Sequence, residues 1–254
     1  MRIIAIMNHK GGVGKTTTTL NLGHALAAAG KKVTLIDMDP QGHLTISCGN
    51  SANKEPGLDQ LLMQQTTTEN IVRDVKPKLS LISAGPKLAE FEQQKGDSSL
   101  ALRLRNGIKE YAQGQDFVLI DCPPSSGLLV INSLFAATEV LVPVTGDYLA
   151  LLGLSRLLGI FKHIEKAMQH SLPLQFVLTR FDGRRKLARG IRTKMLTHFP
   201  GQVLATFIRE SVALAESPGF QKSIFEYQPR GHGAEDYKAL AQDLIKKRMM
   251  KNEQ

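Results

Sequence analysis

Short apolar runs rich in β-branched residues alternate along this chain with longer stretches whose apolar positions recur at helical spacing. The runs predict strands at Arg2–Met7, Lys32–Asp37, Leu79–Ser83, Asp116–Asp121, Val140–Thr145, Leu174–Thr179 and Val203–Ile208. Most are nearly all apolar instead of alternating, as a parallel strand must be when helices cover both faces of its sheet. Helical patterns fall at Thr17–Ala29, Ser98–Tyr111, Tyr148–Gln169, Lys186–Phe199 and Ala234–Met250. This alternation predicts an α/β fold, a doubly wound, largely parallel sheet with helices on both faces. With no repeat, low-complexity tract or long linker, residues 1–254 read as one domain. In Tyr148–Gln169, Leu149, Leu151, Leu152, Leu154, Leu157 and Leu158 go nearly all round the helix, which suits a core helix or a contribution to a dimer interface.

Ligands in such folds gather beyond the C-terminal ends of the strands, and three predicted strand ends carry suitable chemistry. The first strand runs into Asn8-His9-Lys10-Gly11-Gly12-Val13-Gly14-Lys15-Thr16-Thr17 and then into a helix. Glycines there let backbone N–H groups converge on an anion, and the first-turn amides and helix dipole favour negative charge. Lys15 is placed to reach β- and γ-phosphates and the Thr16 hydroxyl to ligate Mg²⁺, while Gly11, Gly12, Val13, Gly14 and Thr17 complete the cradle. The string departs from G-x-x-x-x-G-K-[ST], with His9 where the first glycine belongs and a second lysine at Lys10. Two neighbouring lysines repel unless a polyanion neutralises both, so both read as phosphate ligands. The other two strand ends are Leu35-Ile36-Asp37-Met38-Asp39-Pro40-Gln41-Gly42 and Val118-Leu119-Ile120-Asp121-Cys122-Pro123-Pro124-Ser125. A carboxylate after a buried apolar strand suits a Mg²⁺–nucleotide site, and Asp121 takes that position. Cys122 reads as a small buried filler, since no histidine is positioned to activate it.

K-G-G-V-G-K-T-T resembles the deviant Walker A motif of the ParA/MinD superfamily of ATPases, and the string from Met7 to Thr18 looks most like its ParA (Soj) branch. The resemblance implies ATP and Mg²⁺ as cofactors and a homodimer that sandwiches ATP, with Lys10 crossing to the partner's nucleotide. It makes D-x-D-P-Q-G and D-C-P-P-S similar to the family's two switch segments, so that Asp39 orients the attacking water and Asp37 lies near Mg²⁺ through water. On this resemblance Lys10, Lys15 and Asp39 are the catalytic set, and Thr16, Asp37 and Asp121 hold the metal. A ParB-like or other adaptor protein is the expected activator. Asp182-Gly183-Arg184 resembles a D-A-R string whose arginine binds DNA nonspecifically. A second such arginine belongs where this chain has Ala213. The strand end at Thr179–Asp182 and the loop after Ile208 are the expected walls of an adenine pocket.

Composition adds one thing, a net charge of +9 over 254 residues, which favours a polyanionic partner. Six of the twelve residues from Gly183 to Lys194 are basic, and no acid appears from Gly183 until Glu210. Arg184, Arg185, Lys186, Arg189, Arg192 and Lys194 form the expected DNA patch, with Arg185, Arg189 and Arg192 on one side of a helix. No aromatic platform is interleaved, so binding should follow the DNA backbone and not its sequence. Cys48 and Cys122 are too few and too isolated for a disulfide framework or an iron–sulfur site. Met1-Arg2 leads straight into the first strand and no apolar run approaches about 18 residues, so the expectation is a cytoplasmic, nucleoid-associated protein without integral membrane association. A MinD-like membrane-associated positioning ATPase is the alternative, disfavoured because the chain ends polar after a stripe of Tyr237, Leu240, Ala241, Leu244 and Ile245.

Overall fold

A computed structural model of the chain describes residues 1–50, 55–94, 98–147 and 158–250, apart from 160, 163, 168 and 170. Its centre is one seven-stranded sheet: β1 (Arg2–Ile6), β2 (Val33–Asp37), β3 (Val72–Lys76), β4 (Leu79–Ile82), β5 (Phe117–Asp121), β6 (Glu139–Thr145) and β7 (Leu174–Thr179). The spatial order is β3-β4-β2-β5-β1-β6-β7. Every pairing is parallel except β3 with β4. Side chains of β1 alternate between two buried layers, Ile3 and Ala5 facing one and Ile4 and Ile6 the other. The fold class thus matches the pattern of the sequence.

The chain leaves β1 through helix α1 (Lys15–Ala28) to reach β2, and β6 later lies on the opposite side of β1. The strand order therefore reverses at β1, where a crevice opens beyond the strand ends. Helix α1 is buried over most of its length, as expected of a helix with little polar face. It packs between the sheet and the helix His232–Lys246, whose Tyr237, Leu240, Ala241 and Leu244 fill the same layer. The hydroxyls of Thr18 and Tyr237 meet at 3.2 Å. Asn21 fixes a second neighbour, its side-chain oxygen accepting from the Ile224 amide at 2.7 Å.

Two expectations are corrected, and two elements appear that the sequence pattern did not announce. Val203–Ile208 is not a strand: it runs beside β7 with isolated bridges, the Leu204 and Ile208 amides donating to Phe176 and Leu178 at 2.8 Å each. The edge strand at Val72–Lys76 replaces it in the count; its charged residues and bulge are typical of an edge and hide it from an apolar-run reading. The last helix stops at Lys246, where Lys247 turns left-handed, and Met250 returns to donate to the Val203 carbonyl. The nine-residue helix Leu128–Ala136 also lacked a sequence expectation, because a short apolar run has no diagnostic period. Most of the helical pattern at Tyr148–Gln169 lies outside the described residues, although Phe161 and Ile164 are buried in the core.

Close packing of α1 on β2 is read at Gly23, where an added Cβ would lie 2.5 Å from Leu35 Cδ2. Gly23→Val should therefore destabilise the protein by about 1–3 kcal/mol in urea unfolding. Gly190→Ala, with nothing within 4 Å of the new carbon, should stabilise it by about 0.5–1 kcal/mol. Equal effects of the two would contradict this packing.

Candidate nucleotide-binding site

The loop between β1 and α1 forms a nest. Gly12 and Gly14 hold φ of 73° and 89°, a left-handed backbone that glycine adopts without strain. A Cβ added at Gly11, Gly12 or Gly14 would meet nothing within 4 Å, so the space before the loop is open. Asn8 anchors the entry, donating to the Pro143 carbonyl at 2.8 Å and accepting from the Lys10 amide at 3.0 Å. Thr179 anchors the far side, its hydroxyl donating to the Val13 carbonyl at 2.8 Å. The amides of the loop and the first turn of α1 therefore face the crevice as a preformed anion cradle.

Asp37 and Asp121 end adjacent parallel strands in direct register and are both fully buried. The Thr16 hydroxyl donates to Asp121 Oδ2 at 2.7 Å, the hydroxyl–carboxylate pair a Mg²⁺ site requires. Thr19, which sequence reasoning missed, donates to Asp121 Oδ1 at 3.2 Å; its i, i+3 spacing from Thr16 was the available signal. Burial, and then the charge of Asp37, pushes Asp121 up to about 8, opposed by Thr16, Lys15 and Thr19. Burial likewise raises Asp37 to about 6. Its Oδ2 accepts from both the amide and the hydroxyl of Thr45, at 2.8 and 2.7 Å, and its Oδ1 from the Asp39 amide at 3.2 Å. Asp37 is thus chiefly the anchor of helix α2 (His43–Ser47), with Thr45 the partner that the sequence did not reveal. Burial lowers the pKa of Lys15, with Asp121 the main opposing charge.

A cleft of about 620 Å³ joins the cradle to both switch-like segments, lined by Lys15, Thr16, Asp39, Gln41, Pro124 and Ser125 among others. Asp39 therefore faces the space before Lys15. Lys10 does not line that cleft: its ammonium sits 2.6 Å from each oxygen of Asp147. A second cavity of about 220 Å³ opens off the cradle at Gly12, Gly14 and Thr17, with Ile208, Leu214 and Tyr237 among its lining. Thr179, Arg180 and residues 208–211 wall it, where an adenine pocket was expected. A phosphate cradle, a hydroxyl–carboxylate metal pair and a base-sized cavity in series fit a Mg²⁺–nucleotide.

Residues 1–174 match an AAA domain family (AAA_31). The chain is 39% identical to the sporulation initiation inhibitor protein Soj of Bacillus subtilis, over 96% of this chain and 98% of that protein. It is 36% identical to the chromosome partitioning protein ParA of Myxococcus xanthus, over 97% and 88% respectively. The chain belongs to the ParA/Soj family of partitioning ATPases. Among solved structures it resembles cobyrinic acid a,c-diamide synthase from Mycobacterium smegmatis with bound ADP and magnesium, at TM-score 0.83, 28% identity and coverage of 100% and 99% of the two chains.

The basic segment of the sequence lies beyond β7. Arg184 and Arg185 are exposed, with 91% and 73% of their side chains open to solvent. The expectation that this patch lacks acidic partners is corrected, because Asp182 accepts from Arg184 Nε at 2.9 Å and Nη2 at 3.0 Å and lies 3.4 Å from Arg185 Nε. Those arginines hold the Asp182 carboxyl down at about 2. Arg189 folds back, donating to the Gly183 and Arg184 carbonyls at 2.8 Å each. Arg192 is half-buried against the sulfur of Met250. Lys186 and Lys194 are exposed on helix Lys186–His198. The presumed single face therefore divides into presenting residues, Arg184, Arg185, Lys186 and Lys194, and supporting ones, Arg189 and Arg192. Ala213, where the resemblance led to the expectation of a second arginine, packs against the core.

The buried carboxylates give a signed pH dependence. A carboxyl raised to about 8 in the folded state binds its proton more tightly than in the unfolded chain. Its stabilising contribution is present at low pH and is lost as pH rises from about 4 toward about 8, by up to about 1.4 kcal/mol per pH unit for one proton. Nucleotide-free protein should therefore lose thermal stability between pH 5 and 8, and Asp121→Asn should flatten that slope. An identical slope in the variant would count against the assignment.

Proposed function

We propose that this chain is a Mg²⁺-dependent ATP hydrolase whose ATP-bound homodimer binds DNA without sequence preference. Hydrolysis, stimulated by a ParB-like or other adaptor, would release the DNA and so position DNA or another cargo. The observation that carries this reading is the placement of Lys10. Lys15 occupies the cradle while Lys10 points away from it to Asp147, where its charge is free of duties toward its own phosphates. Exchange of Asp147 for a phosphate of the partner's nucleotide would make ATP the bond between two subunits.

Bound Mg²⁺ supplies charge neutralisation at the phosphates. The residues supply the rest. Thr16 and Asp121, with Asp37, would hold the metal, and Lys15 would stabilise charge on the leaving phosphates. Asp39, facing the same cleft, orients the attacking water toward the γ-phosphoryl group. Such chemistry depends on positioning and electrostatics more than on covalent participation. Support for the nucleotide comes from the ADP and magnesium of the 28%-identical diamide synthase. The partition system is supported by the relatives' names. A membrane-targeted variant of the same engine is disfavoured: the apolar stripe of His232–Lys246 is buried against α1. No helix among the described residues is long and apolar enough to cross a membrane.

Light scattering with a non-hydrolysable ATP analogue and Mg²⁺ tests the central step. Wild type should become a dimer and Lys10→Ala should stay monomeric, whereas Asp39→Ala should dimerise with ATP but release phosphate at least ~10²-fold more slowly. A Lys10→Ala dimer as tight as wild type would refute the reading. On DNA, Arg184→Ala/Arg185→Ala should weaken binding by a similar factor on unrelated sequences. It should also reduce the slope of log affinity against log salt by about 0.9 per lost phosphate contact. An unchanged slope would remove these arginines from the DNA surface.

A further inference from the structure

The cavity beside the cradle has a floor and a mouth of different character. Ile208, Leu214 and Tyr237 are buried apolar surface. Arg180 and Glu210 line the same cavity but leave 59% and 47% of their side chains in solvent, so they stand where it opens. Arg180 Nε lies 3.1 Å from both oxygens of Glu210. Arg180 adopts a left-handed φ of 49°, uncommon for any residue but glycine and worth explaining by what its side chain does. The backbone there is already joined without the pair, the Phe181 amide donating to the Ile208 carbonyl at 2.9 Å. The ion pair is therefore not what holds the 208–211 segment to β7. What it does is bridge the mouth of a base-sized cavity.

We propose that Arg180 and Glu210 form a clasp over the base cavity and are positioning residues that slow release of a bound purine nucleotide. This rests on the nucleotide-binding reading above. The cavity's volume of about 220 Å³ suits a purine ring system, and the triphosphate would lie outside it in the cradle.

The test is release of a fluorescent ATP analogue, labelled on the ribose, chased with excess ATP in Mg²⁺. The proteins are wild type, Arg180→Ala, Glu210→Gln and the double variant. Each single variant should release about two- to fivefold faster, the range an exposed ion pair can supply, and the double no faster than either. Wild-type release should quicken more steeply than the variants' between 50 and 500 mM salt, because salt screens the exposed pair in addition to the phosphate contacts that all four proteins share. Inorganic tripolyphosphate, which fills only the cradle, should compete equally well in all four. Equal release rates, additive effects, or a parallel loss of tripolyphosphate affinity would each overturn the clasp. Failure of wild type to bind the analogue at all would instead overturn the nucleotide reading, and the clasp with it.

Discussion

Two carboxylates side by side in a dry interior set the terms for the rest of this molecule. Asp37 and Asp121 end neighbouring strands in register, and both are fully buried. Like charges so placed cannot both ionise cheaply without cations or hydrogen-bond donors. The fold supplies Thr16 and Thr19 to one, Thr45 to the other, and the buried Lys15 beyond. Structure and readiness for a divalent cation are here the same arrangement, because the acids that a metal would neutralise also tie α1 and α2 to the sheet.

Around that centre the site is layered by charge. The cradle offers amides and Lys15 to phosphates, the apolar cavity offers a flat surface to a base, and Lys10 waits on Asp147 at the outer edge. The cradle and Lys10 follow β1, Asp147 follows β6 and one wall of the cavity follows β7, and they meet because β1 is where the strand order reverses. Helix α1, which carries the cradle's far end, is buried over most of its length between the sheet and His232–Lys246. The basic segment beyond β7 follows a related economy, in which Arg189 and Asp182 organise a loop so that Arg184 and Arg185 project from it.

How much of this could be read from residues alone depends on whether the signal is local. The cradle, the two strand-end aspartates and the alternation of strand and helix are written in contiguous strings, and their periodicity and turn chemistry specify them, whereas the walls of the side cavity were expected only from the family resemblance. The charge of the basic segment is equally local. Its geometry is not: a count of lysines and arginines cannot tell a presenting arginine from one folded onto carbonyls, since that depends on where the backbone turns. Val203–Ile208 shows a similar limit, having strand composition but only intermittent register with β7.

By itself, then, the sequence determined the fold class, the phosphate loop and its family, because short-range pattern decides which backbone each segment adopts. Only tertiary structure decided the partners: Thr19 for Asp121, Thr45 for Asp37, Asp147 for Lys10 and Glu210 for Arg180. Three of these pairs join residues 30 or more positions apart, and the fourth spans a turn between strand and helix. Pairing across such distances is fixed by how the sheet orders its strands, which no local pattern of polarity contains.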